Sequence, residues 1–149
     1  MQIAVIGSGV EWTAQAEEVG RLLAERGCVV VCGGLGEVME AAARGAKDAG
    51  GTTLGILPGE SPRDANAWID YAVATGTGQA RNLAVVASCE AAVAVGGRWG
   101  TLAEVAFARV LGRPVVVLGP GPGAEGEGIE HADTPAEAVD RALALAGQG

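Results

Sequence analysis

The stretch GGRWGTLAEV (96–105) places three glycines, a threonine and a carboxylate between an apolar run and a helix-forming segment. The first backbone N–H groups of a helix have no partner within the helix and carry partial positive charge, so they attract anions. Glycines in such a loop allow a phosphate to approach the backbone closely. We therefore predict a phosphate-bearing ligand here. The loop residues predicted to bind it are Gly96, Gly97, Arg98, Trp99, Gly100 and Thr101.

Glu104 has two possible roles in this stretch. A carboxylate in a ligand cleft can orient a water molecule or stabilise developing positive charge during a reaction. Thr101 and Glu104 also have the spacing of a capping box, in which the carboxylate only receives a backbone N–H group. The sequence leaves both roles open.

Two further glycine loops follow apolar runs, at residues 7–9 and 33–36, and an arginine follows the stretch TGTGQ. Ligands of open α/β sheets bind beyond the carboxyl ends of the strands, where such loops meet. Arg81 at this edge can pair with a phosphate or carboxylate. The alternatives are ordinary turn glycines and a solvated arginine. The predicted ligand-binding residues outside the first loop are Gly7, Ser8, Gly9, Gly33, Gly34, Gly36 and Asn82, and the predicted catalytic residues are Arg81 and Glu104.

Known nucleotide fingerprints fit these loops poorly. GSGVEW lacks the third glycine of a dinucleotide site, and the second strand ends in Cys32-Gly33, with no acidic residue at its end to hold a ribose. A P-loop requires Gly-Lys-Ser/Thr, whereas the one lysine, Lys47, lies within a predicted helix. Its position also argues against pyridoxal-phosphate chemistry.

The elements that must position these loops alternate along the chain. Uniformly apolar strands are typical of parallel sheets that are covered on both faces. We predict a single α/β domain over residues 1–149, with a doubly wound, mainly parallel sheet and helices on both faces. The predicted strands are 2–7, 28–32, 52–57, 70–75, 90–95, 114–118 and a short one near Ile129. The predicted helices are 11–26, 37–49, 79–88, 101–111 and 136–146.

Composition narrows the class of protein. The 149 residues carry a formal charge of −8, which disfavours nucleic acid and anionic membranes as partners. Three cysteines without metal-ligand spacing predict no metal site, and no apolar run is long enough to cross a membrane. The chain begins with a strand, not a signal peptide, so we expect a cytoplasmic protein. Helices 79–88 and 101–111 are apolar on more than one side, which favours a homodimer or higher homo-oligomer.

GGRWGTLAE resembles the G-G-x-x-G-T-x-x-E signature of the Lonely Guy-like family, long mislabelled as lysine decarboxylases. GGLGEVMEAAARGAKDAGG (33–51) is similar to the family's first glycine-rich loop, and TGTGQARN (75–82) to its arginine motif. The chain looks closest to a bacterial subgroup related to molybdenum-cofactor carrier proteins and DNA-processing protein A.

The resemblance implies a Rossmann-like homodimer. For Lonely Guy enzymes it further implies hydrolysis of the N-glycosidic bond of a nucleoside 5′-monophosphate, with Arg81 and Glu104 as catalytic residues. Two positions depart from the enzyme pattern, with Val95 in place of proline and Asn82 in place of lysine. Binding tolerates a lost charge more readily than catalysis does. Two functions therefore remain open, a phosphoribohydrolase and a non-catalytic carrier of a phosphate-bearing ligand such as the molybdenum cofactor or a nucleotide. Neither requires a resident cofactor.

Overall fold

The computed structural model describes residues 1–147; the last two residues of the predicted domain, 148 and 149, lie outside the described residues. The described chain forms a sheet flanked by helices. Its strands are β1 (Gln2–Ser8), β2 (Val29–Cys32), β3 (Thr52–Leu57), β4 (Tyr71–Ala74), β5 (Ala91–Gly96), β6 (Val115–Leu118) and β7 (Ile129–Ala132). Its α-helices are α1 (Thr13–Glu25), α2 (Val38–Asp48), α3 (Arg81–Ala87), α4 (Trp99–Val110) and α5 (Pro135–Ala146). Among them, none is both long and apolar enough to cross a membrane.

The strands form one sheet in the order β4-β3-β2-β1-β5-β6-β7, and every neighbouring pair is parallel. The predicted α/β fold is confirmed, and the sheet is wholly parallel in place of mainly parallel. The strand order reverses between β1 and β5, which pair from Ile3 with Ala91 to Ser8 with Gly96. A crevice for a ligand is expected beyond the carboxyl ends of the strands at such a reversal.

Helices cover both faces of the sheet. Helices α1, α2 and α5 pack on one face, and their apolar residues share a core cluster with Ile3, Val30 and Val93. Helices α3 and α4 cover the other face, where Val85 and Val105 pack against Ile6. The uniformly apolar strands, such as β5 and β6, are buried because both faces are covered.

The starts of α4 and α5 differ. At α5, the Thr134 side chain accepts a hydrogen bond from the Glu137 N–H group, and Pro135 takes the first helical position. Helix α4 begins at Trp99, two residues before the predicted start, and Arg98 at its N-cap makes no side-chain cap. The beginning of α4 is therefore free of a capping side chain from its own N-cap residue.

Candidate functional site

A cavity of ≈ 120 Å³ lies at the reversal of strand order, beyond the ends of β1 and β2 and against α3 and α4. Each of the three glycine loops contributes at least one residue to its wall. Sequence reasoning missed Met39, in the first turn of α2, and Gln79, which stands within the arginine motif. The predicted site residues that line the cavity are Gly7, Ser8, Gly33, Arg81, Asn82, Gly100, Thr101 and Glu104.

Arg81, the first residue of α3, is held by the backbone of β3 and of the second glycine loop, which follows β2. Its Nη1 atom donates to the carbonyl oxygens of Gly33 (2.5 Å) and Ile56 (2.7 Å), and its Nε atom to Asn82 Oδ1 (2.8 Å). The residue is only 8% exposed, so the solvated-arginine alternative is wrong. Within residues 1–147 the Nη2 atom has no hydrogen-bond partner, which leaves its N–H groups available to a ligand.

Gly33 is required by the position of this guanidinium group. A Cβ atom at residue 33 would lie 2.8 Å from Arg81 Nη1 and 2.5 Å from Met39 Sδ. Both distances are shorter than van der Waals contact, so any larger residue would displace the arginine or the methionine. The second glycine loop thus serves the site by letting Arg81 pack against its backbone.

Glu104 lies in the second turn of α4 and is 9% exposed. Burial raises the pKa of its carboxyl group to about 7, and the nearby positive charge of Arg81 opposes this shift. Burial likewise lowers the pKa of Arg81, against the effect of the Glu104 charge. Within the described chain, no group donates a hydrogen bond to the Glu104 carboxyl group, and Thr101 lies inside the helix. The capping-box alternative is therefore wrong.

Gly97 and Thr101 fix the loop that leads into α4. Gly97 has a φ of 107°, and a Cβ atom there would lie 2.2 Å from Thr101 Oγ1. Thr101 is 4% exposed and lines the cavity next to Gly100. Glycine at position 97 therefore allows the loop to close over the threonine and to keep the start of α4 at the cavity.

Three residues of the same loop face a separate hollow of ≈ 320 Å³, which Leu102, Gly121 and Pro122 complete. They are Gly97, Arg98 and Trp99. The Trp99 side chain is 83% exposed. The loop at 96–101 therefore lies between the cavity and this hollow, and the Trp99 indole ring borders the hollow.

Four further predicted glycines line neither the cavity nor the hollow. Gly96 packs against the Trp12 ring, and the Gly34 N–H group donates to Cys32 Sγ. The N–H group of Gly9 donates to the carboxylate of Glu37, with Oε2 at 2.7 Å. Fewer backbone N–H groups of the glycine loops therefore face the cavity than the sequence predicted. The four glycines are Gly9, Gly34, Gly36 and Gly96.

Fold and cavity together define a Rossmann-like protein with a charged cavity at the switch point of its sheet. Residues 1–144 match the SLOG cluster4 family, and the chain belongs to that family. An uncharacterised protein of Archaeoglobus fulgidus is 44% identical over 143 residues, which cover 94% of this chain and 93% of that protein.

Solved structures extend the comparison. The molybdenum cofactor carrier protein of Chlamydomonas reinhardtii is 34% identical with a TM-score of 0.90, and the match covers 98% of each chain. The molybdenum cofactor binding protein of the phototrophic bacterium Rippkaea orientalis is 31% identical with a TM-score of 0.87, over 97% of this chain and 96% of that one. The predicted kinship with such carriers is confirmed for sequence and fold, whereas Lonely Guy activity stays a prediction.

DNA processing protein A of Helicobacter pylori is also similar in structure, with a TM-score of 0.71 over 97% of this chain and 80% of that one. The sequence identity is 18%, so this likeness shows the fold alone.

Proposed function

We propose that this protein binds and carries a phosphate-bearing small molecule, with the molybdenum cofactor as its cargo. The observation that carries the proposal is the similarity, over nearly the full length of each chain, to two structures described as a molybdenum cofactor carrier and a molybdenum cofactor binding protein. The cavity adds a chemical argument. Arg81 Nη2 and the uncapped start of α4 offer donors to an anionic group.

The volumes of the cavity and of the neighbouring hollow suggest which part of the cofactor each of them binds. Pockets that enclose a whole ligand usually measure about 300–1,000 Å³, so the ≈ 120 Å³ cavity accepts the anionic end only. The neighbouring hollow of ≈ 320 Å³ offers the exposed Trp99 ring, on which a flat heterocycle can stack. We assign the phosphate to the cavity and the pterin ring to the hollow.

The test is retention of the cofactor. The protein is incubated under anaerobic conditions with molybdenum cofactor released from a molybdoenzyme, desalted, and assayed for molybdenum by mass spectrometry and for pterin by fluorescence after oxidation. We expect both to remain with the protein at equal stoichiometry. Because stacking on an aromatic side chain contributes about 1–3 kcal/mol, Trp99→Ala should weaken retention about tenfold.

Tyr71→Ala is the matched control, because Tyr71 is an exposed aromatic residue on the edge strand β4, outside both spaces. This variant should retain the cofactor as the wild type does. Loss of cofactor from the wild-type protein on desalting would reject the carrier proposal.

A second candidate is the phosphoribohydrolase, which the position of Glu104 favours. Cleavage of an N-glycosidic bond places positive charge on the ribose, and a carboxylate in the same cavity can stabilise it. Arg81 would then hold the substrate. A panel of nucleoside 5′-monophosphates, assayed for released base, separates the candidates. Release that Glu104→Gln abolishes would support the hydrolase, and cofactor retention without release would support the carrier.

We also infer a homodimer, from an apolar patch on α3 and α4. Its members are exposed although they are large and hydrophobic. Two of them lie on α4, and Leu111, the C-cap residue of that helix, continues the same face. A second copy of the chain would cover them. The patch consists of Leu83, Phe107, Val110 and Leu111.

The absence of nucleic-acid partners stays a prediction from the charge of −8.

A further inference from the structure

Glu37, immediately before α2, has an unusual backbone conformation. Its φ of 56° and ψ of −124° lie where residues with a Cβ atom are strained, and it is the sole non-glycine residue with positive φ within residues 1–147. Strain at a position beside a ligand site persists only when surrounding contacts enforce it, and it often has a functional reason.

The contact that accompanies the strain is made by the Glu37 carboxylate. Its Oε2 atom accepts the backbone N–H group of Gly9 at 2.7 Å. Gly9 follows β1, whose last residues, Gly7 and Ser8, line the cavity. The Glu37 carboxylate thus already accepts the hydrogen bond of a backbone N–H group in the first glycine loop, where Rossmann-like domains commonly bind the pyrophosphate of a dinucleotide.

A second carboxylate reinforces the negative charge at this place. A Cβ atom at Gly9 would lie 2.9 Å from Glu11 Oε2, so the Glu11 side chain lies directly against the same glycine. Within the described chain, no arginine or lysine forms an ion pair with Glu11 or Glu37. An additional anionic group at this end of the crevice would find the Gly9 N–H group already hydrogen-bonded to Glu37. It would also be repelled by the carboxylates of Glu11 and Glu37.

We propose that Glu37 is a specificity-determining residue that makes the site accept a ligand with a single phosphate group and reject a diphosphate. This inference rests on the proposed function, because it assumes that a phosphate enters the cavity lined by Arg81 and Thr101. The single phosphate is held there, while Glu37 and Glu11 repel a second phosphate that extends along the loop after β1.

The test compares inorganic phosphate and pyrophosphate as probes, titrated calorimetrically into the wild type and Glu37→Gly. Glycine suits the backbone conformation at position 37, so this variant removes the carboxylate without added strain. We expect the wild type to prefer phosphate. Glu37→Gly should bind pyrophosphate about tenfold more tightly than the wild type, or 1.4 kcal/mol, with phosphate affinity unchanged.

Two further variants test whether the charge of Glu37, and not a charge elsewhere on α2, determines the preference for phosphate over pyrophosphate. Glu37→Gln keeps an acceptor without the charge and should give a smaller gain for pyrophosphate than Glu37→Gly. Glu40→Gln removes a charge from the first turn of α2 without contacting Gly9 and should leave both affinities as they are. An unchanged ratio of the two affinities in Glu37→Gly would overturn this inference, even if the wild type retains the molybdenum cofactor. Failure of the wild type to bind either probe or the cofactor would overturn both this inference and the proposed function.

Discussion

Arg81 and Glu104 line the same cavity but do not form an ion pair. The pair is absent from the ion pairs within residues 1–147, in which a side-chain nitrogen lies within 4.0 Å of a carboxylate oxygen. With a pKa of about 7, Glu104 is close to half protonated at neutral pH. The protonated carboxyl group can donate a hydrogen bond to an anionic ligand, whereas the carboxylate repels it. Carriage of an anion therefore favours the protonated form, and stabilisation of positive charge during hydrolysis favours the ionised form.

Replacement of Glu104 by glutamine should change how stability depends on pH. Because the folded-state pKa of about 7 is above the ordinary 4.5, the wild type loses stability as pH rises between these two values. Glu104→Gln should therefore be more stable than the wild type by on the order of 3 kcal/mol near pH 8, and the difference should vanish below about pH 4. Urea unfolding at several pH values measures it. A difference that does not vary with pH would show that burial leaves the carboxyl group unperturbed.

Single residues of the cavity were predictable to different degrees. The positions of Arg81, Thr101 and Glu104 could be predicted because their motifs directly follow strands, and strand ends share one edge of a parallel sheet. The Glu37–Gly9 contact could not, since it depends on a strained backbone and joins residues 28 positions apart. The pKa of Glu104 follows from burial, which residue spacing does not reveal.

At the scale of elements, α1 and α2 approach each other closely enough for backbone contact. A Cβ atom at Gly20 would lie 2.0 Å from the Ala42 carbonyl oxygen, and one at Gly45 would lie 1.9 Å from that of Glu17. Each helix thus places a glycine against the backbone of the other. This close contact sets the separation of the two helices, and α2 carries Met39, which lines the cavity.

Substitution of Gly45 by alanine should destabilise the protein. The added methyl group would force the helices apart, which usually costs about 1–3 kcal/mol, although alanine favours helix by about 1 kcal/mol. Gly100→Ala is the matched control, because Gly100 is also helical but an added Cβ atom would meet nothing within 4 Å beyond its chain neighbours and the backbone of its own helix. Thermal or urea unfolding should show a loss for the first variant and none for the second. Equal stabilities would mean that α1 and α2 can separate without cost.

The existence of the elements was predictable, whereas some of their ends were not. Helix α5 carries explicit start signals in Thr134 and Pro135, so its start was predicted within one residue. Helix α4 starts at Trp99 without such a signal, and the strong Thr101–Glu104 pattern shifted the prediction to 101. Here the loop geometry enforced by Gly97 outweighs the local capping preference.

For the molecule as a whole, the reversal of strand order brings distant parts of the chain to one cavity. Alternating strands and helices predict a parallel sheet, but they do not reveal that β5 inserts beside β1. That placement sets Ser8 opposite Gly96 and so joins the first and third glycine loops. The prediction that residues 1–149 form a single domain stays a prediction.

Dimer formation is tested at the exposed apolar patch of α3 and α4. The wild type should be a dimer by light scattering at micromolar concentration, and Val110→Asp should be monomeric because it places a charge on the covered surface. Val110 is 83% exposed in the single chain. Val10→Asp is the control, since Val10 is 71% exposed on a different element and should leave the dimer intact. A monomeric wild type would reject the inferred interface.

The two carbonyl groups that hold Arg81 have a consequence for how a carrier would work. The guanidinium group of Arg81 is held in place before any cargo binds, so cargo binding needs little rearrangement of this group. The position of this group therefore gives a recipient enzyme no signal by which to distinguish a full carrier from an empty one. The enzyme would have to recognise the cargo itself, where the heterocycle protrudes beside the Trp99 ring.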